Sequence, residues 1–414
     1  MSSLQPVRGT HDLLPEEMRR HRAVTDAAQS VSAQYGYEEI ATPIFEFTNV
    51  FSRTLGDTSD VVTKEMYTFE DKGGEMITLR PENTASVMRA YLSNGLQQTL
   101  PCRFFYRGPM FRYERPQKGR QRQFHQIGIE CIGIPAAEAD VEVIATGAHI
   151  LKSLGILDRT TLEINSLGDT DSRNAYRDTL VEYFSKYESS LSKDSKERLT
   201  KNPMRILDSK DENDRKIVAD APLMPDSMNA ESKGFFETVL MRLDQLGIAY
   251  NLNTRLVRGL DYYCHTAFEF TTTELGAQGA VMAGGRYDGL ITQMGGPATP
   301  GVGWAAGVER MSMMIDEPTA QANSIAIVPI GDEAFDKAFS LAHQLRHAGF
   351  AIDFGVSGNM KKRMKRADRV GAVAALMIGE DELARDGVTI RDMETGEQTE
   401  ASFASLESQL DRYR

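Results

Sequence analysis

Between Glu16 and Gly36, apolar and small residues recur at helical spacing behind Pro15 and an acidic first turn, and the run stops at a glycine; this predicts a helix. The pattern then shortens. Tyr37 to Phe47 reads as extended chain. Met76 to Leu79, Arg103 to Tyr106, Met110 to Tyr113 and Gln123 to Ile132 read as short strands, separated by turns and one polar helix, Thr84 to Asn94. Consecutive strands of this kind pair antiparallel. From about Asp169 to Leu246 the chain is helix-prone and very polar, with Ser185 to Lys201 poor in apolar residues, which predicts a helical insertion. Strands resume over Ala249 to Phe270, Gly279 to Ala283 and Gly301 to Trp304, and a helix from Ala305 to Met314 closes the block.

Asp316 to Asn323, with Pro318, Thr319 and Gln321, reads as a linker. Beyond it strand and helix alternate: strand Ile325 to Pro329, helix Asp332 to Ala348, strand Ala351 to Phe354, helix Met360 to Val370, strands Val373 to Ile378 and Thr389 to Asp392, helix Phe403 to Tyr413. Such alternation implies a small sheet with parallel pairs and right-handed crossovers. The expected divisions are 1–168, an insertion at 169–246, a return at 247–316, a linker at 317–323 and a last domain at 324–414.

Composition narrows the class. A chain of 414 residues, 41% hydrophobic and 26% charged, is globular and large enough for two or three domains at about 150 residues each. No apolar run approaches the roughly 18 to 20 residues that span a bilayer, and the start is charged without a signal core, so a cytoplasmic protein with no membrane partner is expected. Cys102, Cys131 and Cys264 are far apart and odd in number, which reads as free thiols. The net charge of −12 argues against a surface coated for non-specific nucleic-acid binding; no DNA partner is expected, while a local basic patch can still hold RNA.

Leu256 to Tyr263 and Ala283 to Leu290 place Arg258, Asp261, Tyr262, Tyr263, Arg286 and Tyr287 among residues that otherwise read as buried strand. Charged groups there need partners, which suggests a lined pocket. Strand alternation puts Phe124, Gln126, Gly128 and Glu130 on one face, and Gln123, His125, Ile127 and Ile129 on the other. The loop Arg115 to Arg122 is either a merely basic hairpin or a phosphate-facing one; adding Arg112, Arg258 and Arg310 favours a polyphosphate substrate, because guanidinium forks match phosphate oxygens. Gly301 to Gly307 fails the dinucleotide fingerprint, its third glycine being one position late. Small residues there imply either a flat ligand against the backbone or tight packing. His343 and His347 are spaced i, i+4 without the metalloprotease glutamate, and no metal-ligating set is expected. Lys361, Lys362, Arg363, Lys365, Arg366 and Arg369 form a basic helix, either a solvated face or an RNA contact; Lys362, Lys365, Arg366 and Arg369 share one face, and Met360, Met364 and Ala367 another.

Taken together, the chain resembles the histidyl-tRNA synthetase family, within class II aminoacyl-tRNA synthetases, over nearly its whole length. The resemblance rests on Arg8 to Pro15, Thr78 to Ala85, the motif 2 run Phe111 to Glu130, the two histidine-specific runs Leu256 to Tyr263 and Ala283 to Leu290, and the motif 3 run Gly301 to Arg310. It implies an α+β fold: a class II antiparallel sheet flanked by helices, with a helical insertion and a C-terminal α/β anticodon-binding domain. It implies ATP-dependent ligation of L-histidine to the 3' end of its tRNA through histidyl-adenylate, with Mg2+ on the outer phosphates, in a homodimer. By resemblance, Glu82, Thr84 and Gln126 hold the histidine α-amino group, and Glu130 and Tyr263 bracket its imidazole beside Tyr262. Arg112 grips the α-phosphate, Arg120 the outer phosphates, and Phe124 and Arg310 sandwich adenine, while Arg258 stands between carboxylate and α-phosphate. Arg115 and Gln117 meet the acceptor end of tRNA, and Lys362, Lys365, Arg366 and Arg369 lie in the anticodon-binding domain. Two positions depart from the family pattern: Asn83 stands where glycine is usual, as a residue tolerant of positive φ, and Cys264 where asparagine is usual. The rivals are a synthetase-like regulatory subunit of ATP phosphoribosyltransferase, which typically lacks the last domain, and an RNA-binding protein with a dead synthetase core.

Overall fold

The alternation along Gln123–Ile132 becomes the spine of an eight-stranded sheet. A computed structural model describes residues 4–56, 59, 61–257, 259–260, 262–276, 279–317 and 323–413, in two units, Met1–Pro318 and Thr319–Arg414. The large sheet of the first unit runs in the order Glu38–Glu39, Cys102–Phe111, Gln123–Ile132, Gly301–Gly307, Ala280–Arg286, Cys264–Thr271, Thr161–Ser166, Asn251–Leu252. Its two outermost pairs are parallel and all others antiparallel.

Alternation sorts the two faces. Ile127, Ile129, Val302, Trp304 and Phe268 pack against helices Pro15–Gln34, Ala137–Ser153 and Ala230–Gln245 through Val24, Ala28, Ile144, Leu151, Val239 and Leu243. The opposite face carries Tyr106, Met110, Tyr263 and Tyr287 under helix Thr84–Ser93. That helix is a correction to the polar reading: seven of its ten residues are buried, among them Ser86 and Thr84, so its small polar side chains face inward.

Other expectations shift for physical reasons. Arg103 to Tyr113 is not two strands but one, Cys102–Phe111; Pro109 fits because the partner strand on the outer side pairs only at Phe104 and Phe105, so no outer ladder bond is lost. Tyr37 to Phe47 breaks at Thr42 and Pro43, whose carbonyl oxygens accept from the Arg80 guanidinium. The closing helix shortens to Val308–Ser312, because pairing on both sides holds Ala305 and Ala306 in the sheet. Between Asn251–Leu252 and Cys264–Thr271 the described residues form turns rather than the expected continuous strand. Helices Thr170–Ser185, Lys193–Lys201 and Glu212–Ala219 build a small core around Tyr176, Leu180, Phe184, Leu199 and Val218, while Ala230–Gln245 gives Val239 and Leu243 to the sheet core and packs Phe236 against both. No helix among the described residues is long and apolar enough to cross a membrane.

The second unit is a five-stranded sheet ordered Ile352–Phe354, Ile325–Pro329, Ala374–Ile378, Gly387–Asp392, Gln398–Ser402. The first three are parallel and the last two antiparallel additions. Asp332–His347 covers one face and Met360–Arg369 the other, which explains why the two inner parallel strands, Ile325–Pro329 and Ala374–Ile378, are apolar throughout. The strand at Gln398–Ser402 was unread in the sequence because four of its five residues are polar and exposed. The expected helix from Phe403 to Tyr413 is only Leu406–Leu410 followed by a 3-10 turn.

Candidate active site

One cavity on the helix Thr84–Ser93 side of the large sheet is lined by Glu82, Thr84, Arg112, Arg120, Phe124 and Gln126, and by Tyr262, Tyr263, Tyr287 and Arg310. Sheet pairing assembles it: Gly303 lies opposite Glu130, and Gly307 opposite Gln126, on neighbouring strands. A side chain at Gly303 would stand 2.1 Å from a Glu130 carboxylate oxygen, and one at Gly301 2.3 Å from the Tyr287 ring. Those two glycines are therefore explained by tight packing.

Glu130 is fully buried behind the cavity. Thr84 Oγ1 donates to its Oε1 at 2.6 Å, and the Tyr287 hydroxyl donates to Oε2. Burial pushes this carboxyl up to about 8, with both hydrogen bonds opposing the rise and the Glu82 charge adding to it. Glu82 is also raised by burial, although its oxygens accept from the backbone N–H groups of Thr84 (2.8 Å) and Ala85 (2.9 Å) at the start of the helix. Burial likewise lifts the phenols of Tyr262 and Tyr287 well above their usual value, so both remain neutral donors. Tyr262 and Tyr263 lean on one another with ring centroids 4.6 Å apart, and Tyr262 meets Tyr287 edge-on at 5.9 Å. Gln126 Oε1 is a buried acceptor without a partner among the described residues, and an ammonium donor would satisfy it.

The cationic end is equally ordered. Arg112 Nε donates to Pro81 O at 2.9 Å, which leaves its guanidinium 5.5 Å from the Phe124 ring centroid. Arg310 is held by Gly119 O (3.2 Å) and Ala280 O (2.5 Å). Arg120 is ion-paired to buried Glu114, a carboxylate that sequence reasoning left without a role. Gln117 and Arg120 exchange backbone hydrogen bonds around a turn in which Gly119 has φ +71°, so Arg115 and Gln117 project as exposed side chains. Arg122 is structural: it stacks on Tyr113 at 3.7 Å and donates to Arg8 O. Arg258 lies outside the described residues.

Arg286 is not a lining residue. It and Asp140 are both fully buried and ion-paired, and Arg286 also donates to Ile134 O, Ala136 O and Asp288. This network anchors the strand end from which Tyr287 reaches Glu130. Tyr106, fully buried beneath Gly128 with a hydroxyl that has no partner among the described residues, was missed because nothing in its strand pattern distinguishes it from core. Asn83 has φ −112°, so the position needs no positive-φ residue; its Oδ1 instead accepts from Thr42 and Arg80. Cys264 accepts from the Asp288 N–H at 3.4 Å, and burial raises its thiol to about 12, ahead of the nearby Asp288 charge. In the second unit Lys362, Lys365 and Arg369 are exposed, whereas Arg366 makes a two-pronged pair with Asp353 (2.7 and 2.8 Å). Met360 is exposed rather than packed with Ala367.

The comparisons with known proteins agree with this geometry. Residues 9–311 match the family model described as histidyl-tRNA synthetase, and residues 324–413 match that of the anticodon binding domain. The chain is 58% identical over 414 residues to the histidine--tRNA ligase of Rhodospirillum rubrum, covering all of both proteins. It is 55% identical to that of Gluconobacter oxydans over 98% of each. Apo histidyl-tRNA synthetase from S. aureus superposes with a TM-score of 0.84 at 37% identity, over 98% of this chain and 99% of that one. With family matches across both units and full-length relatives at this identity, the chain belongs to the histidyl-tRNA synthetase family.

Proposed function

We infer that the protein ligates L-histidine to the 3' end of its tRNA at the expense of ATP, in two steps at the cavity of the first unit. The observation that carries this reading is the pairing of a tyrosine-lined end backed by the Glu130 carboxyl (Tyr287, Tyr263) with an arginine-lined end (Arg112, Arg120, Arg310) in one cavity. In this reading Glu82, Thr84 and Gln126 take the α-ammonium, and the unpartnered Gln126 Oε1 supports that role. Glu130 takes an imidazole N–H, with Thr84 and Tyr287 fixing its two oxygens. A pocket built on such bonds rejects side chains that leave its polar groups unpaired.

Arg112 takes the α-phosphate, Arg120 the outer phosphates, and Phe124 and Arg310 the two faces of adenine; Arg258 acts by family resemblance between the histidine carboxylate and the α-phosphate. A histidine carboxylate oxygen attacks the α-phosphorus in line, the bond to the bridging oxygen breaks, and pyrophosphate leaves. The terminal adenosine hydroxyl of tRNA then attacks the acyl carbon and AMP leaves. No side-chain nucleophile is required; the protein supplies position and fixed positive charge. Glu114, a buried oxygen donor beside Arg120, fits a hard cation that keeps most of its water and phosphate ligands. Held there by Glu114, Mg2+ would neutralise charge on the outer phosphates.

Arg115 and Gln117 present the hairpin to the tRNA acceptor end, and Lys362, Lys365 and Arg369 present charge to RNA in the second unit, with Arg366 half-committed to Asp353. We assign a homodimer to the small sheet Phe45–Phe47, Met76–Leu79, Tyr67–Glu70, where Phe45, Phe47 and Phe69 are each about half exposed on one face. Incubation with ATP, labelled histidine and its tRNA tests the reading: acid-precipitable label with histidine and none with other amino acids is expected, and no charging by folded protein refutes it.

A further inference from the structure

Three side chains that are distant in sequence converge behind the wall of the cavity. His21 comes from helix Pro15–Gln34, His125 from strand Gln123–Ile132, on the face turned away from Gln126, and Glu309 from helix Val308–Ser312. One ligand atom from each lies within 4.8 Å of the others. His125 Nδ1 is 2.8 Å from Glu309 Oε1, and the His21 ring stands edge-on to the His125 ring at 5.3 Å. His21 is only 6% exposed. Two imidazoles and a carboxylate from three separate elements thus present ligand atoms to one small volume.

We propose that His21, His125 and Glu309 form a binding site for a divalent transition-metal ion of the Zn2+ class. Two imidazoles and one carboxylate suit zinc and its neighbours rather than Mg2+ or Ca2+, and three protein ligands leave a coordination position for water. That position has access: a second cavity, lined by His11, Glu17, Gln121 and Lys118, opens onto His21 and Glu309. Glu309 now accepts the His125 backbone N–H at 2.8 and 3.0 Å, and it also lines the arginine-bearing cavity next to Arg310. An ion that draws Glu309 away from that amide disturbs Arg310, so occupancy of the site inhibits adenylate formation.

The test is titration of chelator-treated full-length protein with Zn2+ by calorimetry and with Co2+ by visible absorption, beside His21→Asn. The proposal expects one ion per chain and Co2+ ligand-field bands. Outer-sphere partners alone are worth about 10- to 100-fold in metal affinity, so loss of the His21 ligand should weaken binding by at least that much. Histidine-dependent pyrophosphate exchange, run with Mg2+, should fall on Zn2+ addition in the wild type but not in His21→Asn, whose exchange without Zn2+ stays at the wild-type rate. Absence of heat and of Co2+ bands in the wild type, or binding unchanged in His21→Asn, overturns the proposal whatever the exchange activity proves to be.

Discussion

The hydroxyl of Tyr287 donates a hydrogen bond to the buried carboxylate of Glu130, across two strands and 157 positions of sequence. The pair, completed by Thr84 on the other oxygen, fixes which way Glu130 presents itself to a bound imidazole. Replacing Glu130 by Gln keeps the shape and removes the charge that the carboxyl carries once a bound imidazole N–H takes the place of its proton. A hydrogen bond to a charged group is worth about 1.5–3 kcal/mol, so the histidine KM in pyrophosphate exchange should rise roughly 10- to 100-fold, with a smaller effect on the KM for ATP. An unchanged histidine KM would remove Glu130 from imidazole recognition.

The same residue sets a pH dependence. The Glu130 carboxyl has an ordinary value of 4.5 and lies near 8 in the fold. Between those values the folded state holds a proton that the unfolded state has lost, so raising the pH disfavours folding. Its stabilising contribution is complete below about 4.5 and is lost as pH rises through about 8, with a slope of at most about 1.4 kcal/mol per pH unit. Urea denaturation of the ligand-free protein from pH 5 to 8 should show this slope, and Glu130→Gln should flatten it.

Arg286 and Asp140 test the anchoring argument. Removing one partner strands a buried charge, so Arg286→Met should cost about 3–5 kcal/mol, read as a shifted denaturation midpoint. Asp140→Leu added to it should recover part of that loss. If the single variant is as stable as wild type, the pair does not anchor the strand.

Charge reversal on the second unit separates RNA contact from a solvated face. Lys362→Glu with Lys365→Glu should weaken tRNA binding and reduce the steepness of its salt dependence by about two phosphate contacts, with pyrophosphate exchange unaltered. An unchanged salt slope would return the helix to solvent.

Phe47→Glu with Phe69→Glu places two charges on the exposed face of the small sheet. Sedimentation should find wild-type dimers and variant monomers; a variant that sediments as wild type would move the interface elsewhere.

Periodicity made the inner strands and the two long helices of the terminal unit legible, because Ile325–Pro329 and Ala374–Ile378 are buried on both faces and the helices are bounded by glycine or asparagine at Gly331, Asn359 and Gly371. In the first unit, strand alternation separated Gln126 and Glu130 from Ile127 and Ile129. What pattern could not convey was tertiary. The burial of helix Thr84–Ser93, the Asp140 partner of Arg286 and the convergence of His21 on His125 each depend on pairs more than 100 positions apart or on which face a helix turns inward. Asn83 is the reverse case: a backbone explanation was expected, and its side chain's bonds to Thr42 and Arg80 are what the structure holds.

The most direct measurement is exchange of labelled pyrophosphate into ATP, without tRNA, in the presence of each amino acid in turn. Exchange with histidine alone is expected, with a loss of about 10²- to 10³-fold in Arg112→Ala, as for removal of one preorganised transition-state donor. Folded wild-type protein that supports no histidine-dependent exchange would contradict the proposed function.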